Sequence, residues 1–240
     1  MLIFLDLQTT GLQEEDKICS IGLIAVDDGE ITVKYDLVNE GKKISPKASS
    51  IHHITNEMIK DKPNIKECEA YRYLQEFNNE STTIIAHNVQ FDLQKLLACG
   101  FEFYGKSIDT LRVTKHLIPE CEAFSLQFLR YELKLYADEK QEASACGITN
   151  DLLPGNALSN ALFVKTLYSS LAQSATKEQM CSLSLKNVLM QKFEFGKYAG
   201  RYIEEICISE RGYPEWMLST VKDLDEDLRY TLAYYLYGEN

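Results

Sequence analysis

The chain has 240 residues, 45% of them hydrophobic and 25% charged, room for one large domain or for one of ordinary size with a small appendage. No run approaches the roughly 18 consecutive apolar residues of a membrane span. The net charge of −11 (25 Lys+Arg against 36 Asp+Glu) excludes a protein that grips nucleic acid by bulk charge, so any such contact must be local.

In chain order, the apolar run Met1 to Leu7 predicts a buried strand, Ile18 to Val26 a second, and the alternation Ile31 to Val38 a third. Asp27-Asp28-Gly29 predicts a hairpin between the last two. Helical spacing covers Asn64 to Phe77, and Thr82 to Ala86 predicts a fourth strand. That strand leads straight into a helix at Phe91 to Cys99, stopped by Gly100. Ser107 to Asp109 predicts a short last strand, and 110–117, 125–131 and 157–171 predict helices. Strands first, then strands alternating with helices, imply an α/β fold with a mixed sheet. The domains expected are 1–172, a Ser/Ala/Thr-rich linker at 173–183, and a small C-terminal module at 184–240 holding the single Trp216. The N-terminus lacks a basic region and meets an acid at Asp6, which argues against a secretory signal. Seven scattered cysteines without a C-x-x-C pair read as reduced thiols of a cytoplasmic protein.

Two acids stand out. Asp6 closes an apolar strand and precedes Gln8-Thr9-Thr10-Gly11-Leu12, small residues that let a ligand's backbone come close. Asp92 falls in the first turn of a helix entered from a strand, where ligands of open α/β sheets gather. Two carboxylates at strand ends suggest a hard divalent cation.

These segments resemble the DEDDh 3′–5′ exonucleases. FLDLQTTGL, Phe4 to Leu12, is similar to the family's first motif, F-x-D-x-E-T-T-G-L. AHNVQFDLQKL, Ala86 to Leu96, is similar to its second, H-N-x-x-F-D. SSIHHIT resembles the segment ending H-G-I-T, matching at His53, and SIDTLRVTKHL resembles the I-D-T-L stretch. PGNALSNALFVKTL resembles the third motif, H-N-A-L-x-D-A. Phe195-Gly196-Lys197 and Tyr213 to Trp216 resemble the C-terminal module of the exonuclease X type.

The resemblance implies a ribonuclease H-like exonuclease domain. It further implies two Mg²⁺ or Mn²⁺ ions held by four acids, a histidine base, and single-stranded DNA or RNA 3′ ends as partners. The pocket for the terminal nucleotide falls on Thr9, Thr10, Gly11, Leu12, His53, Asn88 and Phe91. Of the catalytic positions, Asp6 and Asp92 are kept. The family Glu falls on Gln8, the base on Gly155, and the last acid on Asn160. An amide keeps an oxygen but no charge, and glycine takes no proton. The expectation is a protein that binds 3′ ends with weak or absent metal and impaired catalysis, Asp6 and Asp92 being the remaining ligands. Two other readings stay open: an active exonuclease of DNA repair or replication with its metal site completed by Asp109 or Asp151, and a protein-interaction module on the same fold. Gly155 is expected to face an open cleft, so that Gln8→Glu, Gly155→His and Asn160→Asp together would restore degradation.

Overall fold

The computed structural model describes residues 1–149 and 151–238. Strand β1 (Leu2–Thr9) pairs antiparallel with β2 (Ile18–Asp27), from Leu2 opposite Val26 to Thr9 opposite Ile18. Asp28 and Gly29 both take positive φ, 46° and 90°, the hairpin geometry whose twist suits the flanking strands. They return the chain as β3 (Glu30–Leu37).

Two short helices follow, α1 (Pro46–His52) and α2 (Asn56–Ile59), capped by the side chains of Ser45 and Thr55. The helix expected over 64–77 is broken. A 3₁₀ turn at Ile65–Glu67 ends on Cys68, whose ψ of 155° is extended, and α3 (Glu69–Glu76) starts afresh. Strand β4 (Thr83–Ala86) joins β1 in parallel, α4 (Val89–Ala98) follows, and β5 (Lys106–Asp109) pairs parallel with β4. The sheet order is β3-β2-β1-β4-β5, mixed in direction as the alternation of elements predicts. Next come α5 (Thr110–Leu117), α6 (Leu126–Glu132), a 3₁₀ turn at Leu135–Ala137, α7 (Glu139–Ala145) and α8 (Ala157–Leu171). Helix α8 is buried through Ala161, Leu162, Phe163, Val164 and Leu167, so it acts as a core element rather than an amphipathic surface helix.

The stretch expected as a linker holds a further helix, α9 (Lys177–Ser184). Met180 is fully buried, and Ser184 Oγ accepts the N–H of Asp109 at 2.8 Å. The chain divides into two units: Met1–Val113 with Ala123–Ser184, and Thr114–Glu122 with residues from Leu185 on. The second unit contains α10 (Ile203–Ser209), α11 (Gly212–Thr220) and α12 (Glu226–Tyr237). Its own core includes Phe193, Ile203, Ile206, Met217, Leu228 and Leu232. The Phe195-Gly196-Lys197 segment sits in a hairpin-like loop closed by Phe193 N–H to Arg201 O (3.0 Å) and Gly200 N–H to Phe193 O (2.7 Å). Among the described residues, no helix is long and apolar enough to cross a membrane.

Candidate active site

Side-chain alternation along β1 divides its work. Ile3, Leu5 and Leu7 enter the core beside Tyr71 and Leu74, while Phe4, on the opposite face, meets Tyr168 of α8 edge-on at 5.5 Å. Asp6 and Gln8 share the parity of Phe4. The expectation that Asp6 ends its strand is corrected: β1 continues to Thr9, and the opening arises because β4 accompanies it only as far as Phe4 opposite Ile85. Beyond that point the Leu7 N–H donates instead to Asp92 Oδ1 at 3.1 Å. A side chain from the first turn of α4 thus takes the place of the missing strand.

Opposite Asp6 on β2 stands Gly22. A Cβ there would lie 2.3 Å from Leu158 N and 2.4 Å from the Ala157 carbonyl carbon, so the start of α8 rests on bare backbone. Asn156 caps that start by accepting the N–H groups of Leu158 (3.0 Å) and Ser159 (3.1 Å). The result brings Asn160 to Asp6 across 154 residues of chain, its Nδ2 standing 3.4 Å from each carboxylate oxygen. Gln8 Nε2 donates to Asp6 Oδ2 at 2.6 Å. Gly155 N–H donates to Asn160 Oδ1 at 3.3 Å. Asp6, Gln8, Gly155 and Asn160 therefore form one hydrogen-bonded group, with Asp92 joined to it through the Leu7 main chain.

Loss of hydration pushes the Asp6 carboxyl up to about 7, against the hydrogen bonds of Gln8 and Asn160 that favour its charge. Asp92 is raised well above the usual carboxylate range, by its burial first and then by the charge of Asp6. The donor set does not fit a pair of divalent cations. Two carboxylates supply half the charge of four, and both amides turn nitrogen, not oxygen, toward Asp6. Among the described residues, no three His, Cys, Asp or Glu side chains gather in metal-holding geometry.

The expectation of an open cleft at residue 155 is overturned. Gly155 is buried with φ +81°, and a Cβ there would lie 2.3 Å from the carbonyl oxygen of Ile51 and 2.9 Å from His52 Cα. The last turn of α1 occupies the volume a histidine would need. His53, expected in the pocket for the terminal nucleotide, ends α1 in the left-handed conformation with its side chain exposed, its N–H bonded to Ser49 O. His52, passed over in the sequence, is buried. Its Nδ1 accepts the Ile54 N–H at 3.1 Å and its Nε2 lies 3.2 Å from Thr9 O, which requires the neutral tautomer with the proton on Nε2. Burial holds its pKa low, consistent with that form.

The loop after β1 is bound to itself. Thr9 Oγ1 donates to Gly11 O (2.6 Å), Thr10 Oγ1 donates to Asp16 Oδ1 (2.9 Å), and a Cβ on Gly11 would strike Asp16. Lys95, absent from the sequence reading, is buried and donates to the carbonyls of Gln13 (2.6 Å), Glu14 (3.1 Å) and Asp16 (3.0 Å). This holds Leu12 out to solvent, 71% exposed. Asn88 takes φ 72° and gives its N–H to Asp109 Oδ1 (3.0 Å), which also accepts the Leu111 N–H (2.9 Å). Asp109 thus fastens two turns, and Asp151 is exposed. Phe91 is half-buried, with Lys95 Nζ 5.6 Å from its ring.

The exonuclease family of the RNase T type matches residues 3–140. The chain belongs to that family. It is 30% identical to exodeoxyribonuclease 10 of Escherichia coli (strain K12), over 98% of this chain and 99% of that protein. It is 37% identical over 151 residues to the DNA polymerase III subunit epsilon of Treponema pallidum, over 58% of this chain and 69% of that protein. Exonuclease X in complex with 5′ overhanging duplex DNA superposes with a TM-score of 0.57 at 27% identity, covering 77% of this chain and 99% of that chain. Exonuclease I of Escherichia coli with a dA16 oligonucleotide (TM-score 0.52, 18% identity, 75% of this chain and 42% of that chain) shares the fold. The mixed five-stranded sheet is accordingly the ribonuclease H-like exonuclease fold.

Proposed function

We propose that this exonuclease-family chain binds single-stranded nucleic-acid 3′ ends and degrades them slowly or not at all. The observation that carries the reading is the backbone of Ile51 standing where a base at residue 155 would need room. Loss of a general base alone lowers a rate by about 10²–10⁴-fold. The amide nitrogens directed at Asp6 and the missing charge at Gln8 and Asn160 point the same way, since exonucleases of this family work with divalent metal ions.

Binding is supported by what the loop after β1 keeps. Its fold is held from within by Thr9, Thr10 and Lys95, it presents Leu12, and Asn88 and Phe91 stand at the entrance of α4. An apolar side chain and an aromatic ring suit unstacked bases, stacking on the ring being worth about 1–3 kcal/mol. The complexes of exonuclease X with overhanging duplex DNA and of exonuclease I with an oligonucleotide lend the same support. The basic group at Lys192, Lys197 and Arg201 supports it less. Arg201 pairs with Glu205, and the two lysines lie over the rings of Tyr202 and Tyr198.

The similarity to exodeoxyribonuclease 10 along the whole chain favours a second reading, an active exonuclease. A 3′-labelled single strand with Mg²⁺ or Mn²⁺ separates the two. Degradation at least about 10²-fold slower than by that relative, with end binding retained, is the expected outcome. Comparable rates overturn the proposal. Absence of any strand binding would turn the fold over to a protein partner instead.

A further inference from the structure

The orientation of Asn160 is dictated from deep in the α6–α8 layer. Arg130 is buried, bonded to Glu139 through Nε (2.5 Å) and Nη2 (2.6 Å), and lies 3.6 Å over the ring of Phe163. A guanidinium only donates. Gln127 must therefore turn its Oε1 to Arg130 Nη1, and its Nε2 then faces Asn160 Oδ1 at 3.5 Å. The Gly155 N–H donates to the same oxygen. With donors on Oδ1 from both sides, Asn160 has only N–H groups left to offer Asp6. Reversing the Asn160 amide would set N–H against N–H on one side and oxygen against carboxylate on the other.

We propose that Gln127, itself oriented by the Arg130–Glu139 pair, is a positioning residue that holds Asn160 nitrogen-first against Asp6. The site is thereby built to surround a carboxylate with donors instead of offering oxygens to a cation. This rests on the reading above that the site does not work through a pair of metal ions, and it explains how the preference is maintained from outside the family's motif positions.

The test is the side-chain amide resonance of Asn160 in ¹⁵N-labelled full-length chain, recorded without metal. In the wild type both Nδ2 protons should be protected from solvent exchange. Gln127→Glu keeps the shape and the contact to Arg130 but presents only acceptors to Asn160. Gln127→Leu removes the contact. Exchange of the Asn160 amide is expected to accelerate at least about tenfold in Gln127→Leu, whereas in Gln127→Glu the amide should turn its N–H groups to the new acceptor and both proton shifts should move. Unchanged resonances in a folded variant overturn the proposal, and either variant suffices if the other fails to fold. A wild-type Asn160 amide that exchanges as fast as exposed asparagines overturns it without any variant. Efficient Mn²⁺-dependent degradation would overturn the functional reading while leaving these spectra as they are, so the two failures are distinguishable.

Discussion

Around Asp6 the chain keeps the outline of a carboxylate cluster and changes its charge, whereas at Gly155, where α8 begins, it changes the backbone and lets α1 move in. Gln8 and Asn160 have the shapes of glutamate and aspartate and still converge on Asp6. Gly155 has adopted a φ of +81° beneath the Ile51 carbonyl. The first kind of change alters the electrostatics of an unchanged scaffold and can be reversed by single atoms. The second has been filled by another element and cannot be reversed without displacing it. Of the three family residues, a histidine at position 155 is the one for which the scaffold leaves no space.

The sharpest way to break this contrast is Gly155→His. A Cβ 2.3 Å from a backbone oxygen at a positive φ should destabilise the chain by about 3–5 kcal/mol, read from the denaturant midpoint. A loss under about 1 kcal/mol would show that α1 yields and that the two regions do not differ in kind. Next in size, Gln8→Glu with Asn160→Asp should fold but lose about 2–3 kcal/mol at pH 8, as carboxylates are set against one another. Millimolar Mn²⁺ should return it, since binding at 100 times Kd contributes about 2.7 kcal/mol. An equal Mn²⁺ response in the thermal unfolding of the wild type would erase the distinction.

Asp6 itself gives a smaller effect with a definite sign. Its carboxyl is raised from 3.8 to about 7, so between those values the folded chain holds a proton that the unfolded chain has lost. Stability therefore falls as pH rises through that window, and above it the folded state carries a poorly hydrated charge. Asp6→Asn removes that charge but sets an N–H against the donor of Gln8 or Asn160, so its stability relative to wild type should rise by about 1–2 kcal/mol from pH 5 to pH 8 in urea unfolding. A difference that does not depend on pH would mean that shape, not charge, is at issue. Smallest of all for the fold is Leu12→Ser, within about 0.5 kcal/mol because Leu12 is exposed. It should nevertheless weaken 3′-end binding about fivefold in fluorescence anisotropy, by loss of an apolar contact. Unaltered binding would remove Leu12 from the proposed pocket.

The sheet was legible because its strands are apolar runs and its hairpin carries Asp-Gly at two positive φ angles. Asp6 was legible as an acid in an apolar strand, and Gln8 and Asn160 because the resemblance to the family's motifs implies which positions converge, whatever their charge. What escaped reading were contacts between segments far apart in the chain. Helix α1, SPKASSIH with its cap, is too short and polar to show a period, so nothing announced that the Ile51 carbonyl of its last turn would meet residue 155. Helix α9 was hidden in the same way, with Met180 its one fully buried apolar anchor. Gln127, Arg130 and Glu139 look like ordinary polar helix residues. Only the buried pair over Phe163 gives them a direction.

Lys95 has a consequence of a different sort. An ammonium wrapped by three carbonyl oxygens resembles the cage that a small alkali cation selects in other settings. Here the cation is tethered to the chain, so dialysis cannot remove it. Being buried, it is little weakened by added salt. The loop that displays Leu12 thus keeps its form in dilute buffer and in concentrated salt alike. A strand bound there as proposed would meet a surface already ordered, with little conformational freedom left to lose on contact.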